Sequence, residues 1–135
     1  MNLDYVEQTV TGSNDVQQAV QSIVTRSDAI YIPTDNTFAS AMPLVGSVVM
    51  ESGTPVICGA TGMVEAGGLI TLGLNYYNLG YQTGEMAVQV LEGADPASMP
   101  VQSQNQYDYV VNEEMLSALG MELPQSLLEK MGDAA

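Results

Sequence analysis

The chain has 135 residues, with 16 Asp or Glu against 2 Lys or Arg, no His, no Trp and a single Cys, for a formal net charge of −14. At this length one domain with one real core is the default, and 46% hydrophobic residues exclude a disordered chain despite the charge. Arg26 and Lys130 stand far apart and cannot form the basic stripe that nucleic acid requires, and an anionic membrane surface is disfavoured for the same reason.

From the amino terminus, residues 4–10 are β-rich and predict a strand. Ser13 or Asn14 then caps a helix whose Val16, Val20, Ile23 and Val24 share one face. Residues 28–33 (DAIYIP) predict a short strand, closed by the turn cluster Thr34-Asp35-Asn36, which can cap a helix over 37–51. Phe38, Ala41, Met42, Val45, Val48 and Val49 keep a helical period there, with Pro43 expected near the first turn. Residues 55–58 (PVIC) predict a buried strand, 59–68 a glycine-rich loop, 69–74 another strand and 76–91 the longest helix, stopped by Glu92-Gly93. Residues 94–100 are a connector, 107–111 (YDYVV) a strand, 112–119 a short helix ended by Gly120, and Pro124 opens a last helix.

Strands alternating with helices, the strands continuously apolar, predict an α/β fold with a parallel sheet covered on both faces. Ligands of such sheets meet the loops at the carboxyl ends of the strands. Three loops therefore carry the expectation of function: 34–36, 59–62 and 75–77.

Without histidine the Ser-His-Asp and Cys-His schemes are excluded, as is every His-containing metal site. Cys58 is alone and forms no intrachain disulfide. The start Met1-Asn2-Leu3-Asp4 does not resemble a targeting signal, and no 18-residue apolar run occurs. The turn Gly59-Ala60-Thr61-Gly62 imitates the start of a dinucleotide-binding loop, but Glu65 stands where that fingerprint needs a small residue and would lie close to a pyrophosphate. A phosphoacceptor role for Asp35 would need several acids and a late lysine, and Lys130 in the tail is the only lysine. No cofactor is expected. Capping alone could explain Thr34-Asp35-Asn36, yet capping needs one oxygen, and a carboxylate plus a carboxamide can hold an ammonium or hydroxyl ligand. Tyr76 and Tyr77, next to Asn75, can pack in a core or wall an aromatic ligand. The nine methionines are ordinary core filling before they are a binding surface.

The segments VTGSNDVQQAVQSI, DAIYIPTDNTFASAMP, GMVEAGGLITLGLNYYNLGYQTGEMAVQVLEG and YDYVVNEEMLSALGMELP together resemble the second half of bacterial ABC-importer substrate-binding proteins. The most specific pieces are the PTDN tetrapeptide and the pattern G-x-x-Y-x-x-L-G over residues 73–80. The resemblance implies a type I periplasmic-binding-protein fold, in which two Rossmann-like lobes close on a small solute, and the chain is expected to be a carboxyl-terminal portion of such a receptor.

 The two lobes of such a receptor are encoded together, and residues 1–67 are expected to form the second-lobe core, 68–93 a crossover strand and helix of the first lobe, and 94–135 the return strand and terminal helices. The resemblance further implies a receptor that catalyses nothing, captures a solute such as an aromatic amino acid and delivers it to an ABC permease. It would work at the extracellular face of the membrane or in the periplasm, lipid-anchored or secreted. Carried over by motif, Thr34, Asp35, Asn36 and Thr61 line the cleft and Asn75 and Tyr76 stand near the hinge, with Asp35 expected to take a ligand ammonium. Relatives often carry an acid in the loop 59–61 and Asp at position 75, so this cleft is less acidic than the pattern. A homo-oligomer is expected, because Met86, Val88, Val90 and Leu91 would otherwise present an uncovered apolar face. Two rivals are the effector domain of a transcription regulator, which would need a basic helix-turn-helix arm, and a small nucleotide-dependent oxidoreductase using the GATG turn.

Overall fold

A computed structural model describes residues 3–133. Four strands form one sheet in the order β1 (Ile30–Ile32), β2 (Val56–Cys58), β3 (Ile70–Leu74), β4 (Tyr107–Val111). β1, β2 and β3 run parallel, as their apolar runs predict, whereas β4 lies antiparallel to β3 over its whole length, from Ile70↔Val111 to Leu74↔Tyr107. The sheet is therefore mixed. β3 meets β2 in register at Ile57↔Ile70 and pairs with β4 along its whole length, with Thr71 and Gly73 buried.

Six α-helices accompany the sheet among the described residues: α1 (Val16–Ile23), α2 (Asn36–Ser52), α3 (Thr61–Glu65), α4 (Tyr76–Leu91), α5 (Glu113–Ala118) and α6 (Gln125–Asp133). The core is built on one face of the sheet. Val16 and Val20 of α1, Met42, Val45 and Val49 of α2, and Met63 and Val64 of α3 pack with Ile30, Ile32, Val56 and Cys58. Met42, Val45, Gly46 and Val49 recur at helical spacing and are all buried, which turns one stripe of α2 onto the sheet. Met115 of α5 closes the same cluster, held by Asn112, whose Oδ1 accepts the Met115 amide at 3.0 Å and whose Nδ2 donates to the Val64 carbonyl at 3.2 Å. On the opposite face the pleat places Tyr31, Ile57, Ile70, Leu72 and Leu74, and none of these is buried.

Four local expectations are corrected. Residues 4–10 are not a strand: β1 is the edge of the sheet and pairs only with β2, so this segment lacks a ladder partner and exposes Leu3, Tyr5 and Val6. The first helix opens with a 3-10 turn, Ser13–Asp15, where the Thr11 hydroxyl donates to the Asp15 carboxylate. The loop 59–68 contains α3. Pro43 lies inside α2 and not at its first turn, so the bond that an amide there would have made to the Ala39 carbonyl is missing. α2 tolerates this because its Asp35 cap, its buried stripe and the left-handed Gly53 at its end fix it from both sides.

Cys58 is buried, and burial pushes its thiol up to about 11 from 9.0. The folded state thus favours the protonated thiol. Its contribution to stability is complete below pH 9 and is lost as the pH rises through about 11, because the unfolded thiol ionises first. Alkylation of the native protein at pH 8 is expected to be far slower than alkylation in denaturant, which a timed iodoacetamide reaction followed by mass spectrometry checks. Equal rates in the two conditions would contradict the buried placement.

Candidate functional site

The carboxyl ends of β1, β2 and β3 bring three polar loops to one crest. After β1, Thr34 donates its hydroxyl to the Gly59 carbonyl at 3.0 Å, joining the first loop to the second. A Cβ on Gly59 would lie 2.6 Å from the Thr34 amide nitrogen, so this close approach requires glycine. Asp35 caps α2, its Oδ1 accepting the Phe38 amide at 3.0 Å, and Asn36 is the first helical residue. Both side chains are exposed. One carboxylate oxygen of Asp35 is used in the cap, so the capping role and a free acceptor coexist on the same group.

After β2, Thr61 opens α3 and is half-buried. It packs against β3: a Cβ on Gly73 would come within 3.2 Å of Thr61 Cγ2 and 3.3 Å of its backbone nitrogen. After β3, Asn75 caps α4 with its Oδ1, which accepts the Asn78 amide at 2.9 Å, while its Nδ2 donates to Asp108 Oδ2 at 2.7 Å. Tyr76 follows as the first residue of α4 and is 54% exposed, so its ring is available as a wall and does not pack in the core. The structure thus links Thr34 to the 59–61 loop, Thr61 to β3, and Asn75 to β4.

Asp108 is the residue that the linear sequence does not single out. It sits inside YDYVV, which reads simply as a strand, and the antiparallel register that sets it opposite Gly73 is a long-range pairing. Thr71, two residues before Gly73 on the same face, has a buried hydroxyl without a hydrogen-bond partner.

α4 is attached differently from every helix of the core. It buries no residue, and Tyr77, Tyr81, Val88, Val90 and Leu91 are exposed. Its contacts with the return segment are polar: Asn78 Nδ2 donates to Gln106 Oε1 at 3.2 Å and Gln82 Nε2 to Gln102 Oε1 at 2.7 Å. A polar cleft of about 390 Å³ lies between them, lined by Tyr81, Glu85 and residues 102–106 among others, and none of the six crest residues lines it. Among the described residues no group of three or more His, Cys, Asp or Glu is placed to hold a metal ion, and no helix is long and apolar enough to cross a membrane.

An α/β core with polar loops at the carboxyl ends of parallel strands is the arrangement in which such sheets bind their ligands. The family model described as ABC transporter substrate binding protein matches residues 1–134, and the chain belongs to that family. It is 39% identical over 121 residues to the tyrosine-binding protein of Clostridioides difficile strain R20291, covering 90% of this chain and 35% of that protein. Among solved structures it is similar to the ABC domain of Streptococcus pneumonia in complex with L-Trp, at 39% identity and a TM-score of 0.82, over 91% of this chain and 42% of that one. The ligand-free, open structure of a Clostridium difficile substrate-binding protein with adhesive properties matches at 48% identity and a TM-score of 0.70, over 89% of this chain and 41% of that one. The chain spans about a third of the curated relative's length and about two fifths of each solved chain. The family is one of solute binding, which favours the binding module over the regulator and oxidoreductase readings.

Proposed function

We propose that this chain is the carboxyl-terminal portion of a receptor that captures an amino acid, an aromatic one by preference, and presents it to an ABC permease at the outer side of a membrane. The observation that carries the reading is the crest itself: Thr34, Asp35, Asn36 and Thr61 stand at the carboxyl ends of parallel strands in a chain similar to proteins named for tyrosine and L-Trp. The crest supplies hydroxyl, carboxylate and carboxamide groups suited to the polar end of an amino acid, and Asn75 and Tyr76 extend it toward α4. No residue has a catalytic role in this reading. The four-stranded sheet, β3 and the return strand included, belongs to the second-lobe core in this reading, and α4, which buries no residue, is the part of 68–93 that reaches toward the first lobe.

Calorimetry of the complete receptor against a panel of L-amino acids tests the proposal. Saturable binding of tyrosine or tryptophan is expected, and heats no larger than dilution for the whole panel would overturn it.

The same reading has a consequence for the chain alone. The exposed Val88, Val90 and Leu91 of α4 and the uncovered sheet residues Tyr31 and Leu72 favour burial against a second copy. Light scattering is expected to give a dimer or larger species, and a 14.3 kDa monomer at all concentrations would contradict this.

A further inference from the structure

We propose that Asp108 is a further specificity-determining residue, its carboxylate receiving the ammonium group of the solute at the β4 end of the crest. The inference rests on the amino-acid-binding reading and names a residue outside PTDN and the 73–80 pattern. Asp108 is half-buried at the start of the return strand, directly opposite Gly73 in the β3–β4 register. Residues paired in register point to the same side of a sheet, so its side chain lies on the side where Thr61 packs against Gly73. The strand therefore brings a carboxylate to the crest from the other direction.

Its electrostatics point to a cationic partner. The hydrogen bond it receives comes from the neutral amide of Asn75, at 2.7 Å. Among the described residues neither Arg26 nor Lys130 bonds it: Arg26 bonds to Gln8 and Ser22, and Lys130 lies on α6. A half-buried carboxylate with a neutral donor gains most from a charge-assisted bond, and an ammonium group supplies one. Asn75 makes the carboxylate a fixed feature, because its amide is held at both ends, by Asn78 N–H on the oxygen and by Asp108 on the nitrogen. The nearby Thr71 hydroxyl, buried and unpartnered, is a second polar group on this side of β3. Asp35, by contrast, is exposed at the β1 end of the crest and shares its carboxylate with the α2 cap.

The test is made on the complete receptor with Asp108→Asn, Asp35→Asn and Asn75→Ala, titrated with L-tyrosine and with its des-amino analogue 3-(4-hydroxyphenyl)propionate. Asp108→Asn is expected to weaken tyrosine about tenfold to a hundredfold, the loss of one charge-assisted bond, and to leave the analogue within about threefold. Asp35→Asn is expected to cost less than Asp108→Asn, and Asn75→Ala to fall between wild type and Asp108→Asn. The assignment is overturned if Asp108→Asn binds tyrosine as wild type does, if it weakens both compounds equally, or if Asp35→Asn is the more damaging variant. A wild-type receptor that binds no amino acid overturns the functional reading as well, which separates the two failures.

Discussion

Gly67→Ala is expected to lower the stability of the fold by about 3 kcal/mol or more, the sum of a strained backbone and an overfilled contact. Gly67 has φ +140°, a conformation that residues with a side chain rarely adopt. A Cβ there would stand 2.7 Å from the Met42 carbonyl oxygen and 3.2 Å from Gly46 Cα. Both neighbours are backbone atoms of α2, so neither can swing aside as a flexible side chain would. Gly46 faces the same approach, with a Cβ 3.0 Å from Gly67 Cα and carbonyl oxygen, and the glycine pair is what lets α2 sit directly on the turn before β3. Gly53 provides the control: it has φ +73° but open space around it, so Gly53→Ala is expected to cost only about 1 kcal/mol. Urea denaturation of the two variants and wild type checks the difference. Equal losses would show that the close approach of α2 contributes nothing.

The isolated chain is expected to bind tyrosine or tryptophan about a hundredfold or more weaker than the complete receptor. Small-molecule sites bury most of their ligand between walls, and the crest is a single wall with Asp35, Asn36 and Tyr76 open to solvent. The contacts of the second wall would be absent, while the entropy of fixing the solute would remain. Titration calorimetry of both proteins under one buffer measures the ratio. Micromolar affinity in the isolated chain would contradict the two-walled reading.

Local chemistry made much of this fold legible. Asn75 and Asn112 stand where capping residues should, and the helices they open begin at the next residue in each case. The buried runs of β1 and β2, and the helical spacing of Met42, Val45 and Val49, also read directly from residue type. What stayed hidden depends on partners distant in the chain. Residues 4–10 have the composition of a strand, but composition does not supply the neighbour that a ladder needs. YDYVV likewise gave no sign of running antiparallel, because direction is decided by where the connection through α4 returns. The site divides in the same way. Thr34, Asp35 and Asn36 are contiguous and visible as a motif, whereas Asp108 joins Asn75 across 33 positions and appears only with the register in hand.

The most direct test of this amino-acid site is a pair of amide NMR spectra of the isotope-labelled complete receptor, recorded with and without L-tyrosine. Saturable shifts are expected at residues 34–36, at Thr61, and at Asn75, Tyr76 and Asp108, with the core of α1 unmoved. Saturable binding whose shifts avoid these residues would contradict the site, and spectra unchanged at millimolar tyrosine and tryptophan would contradict the function.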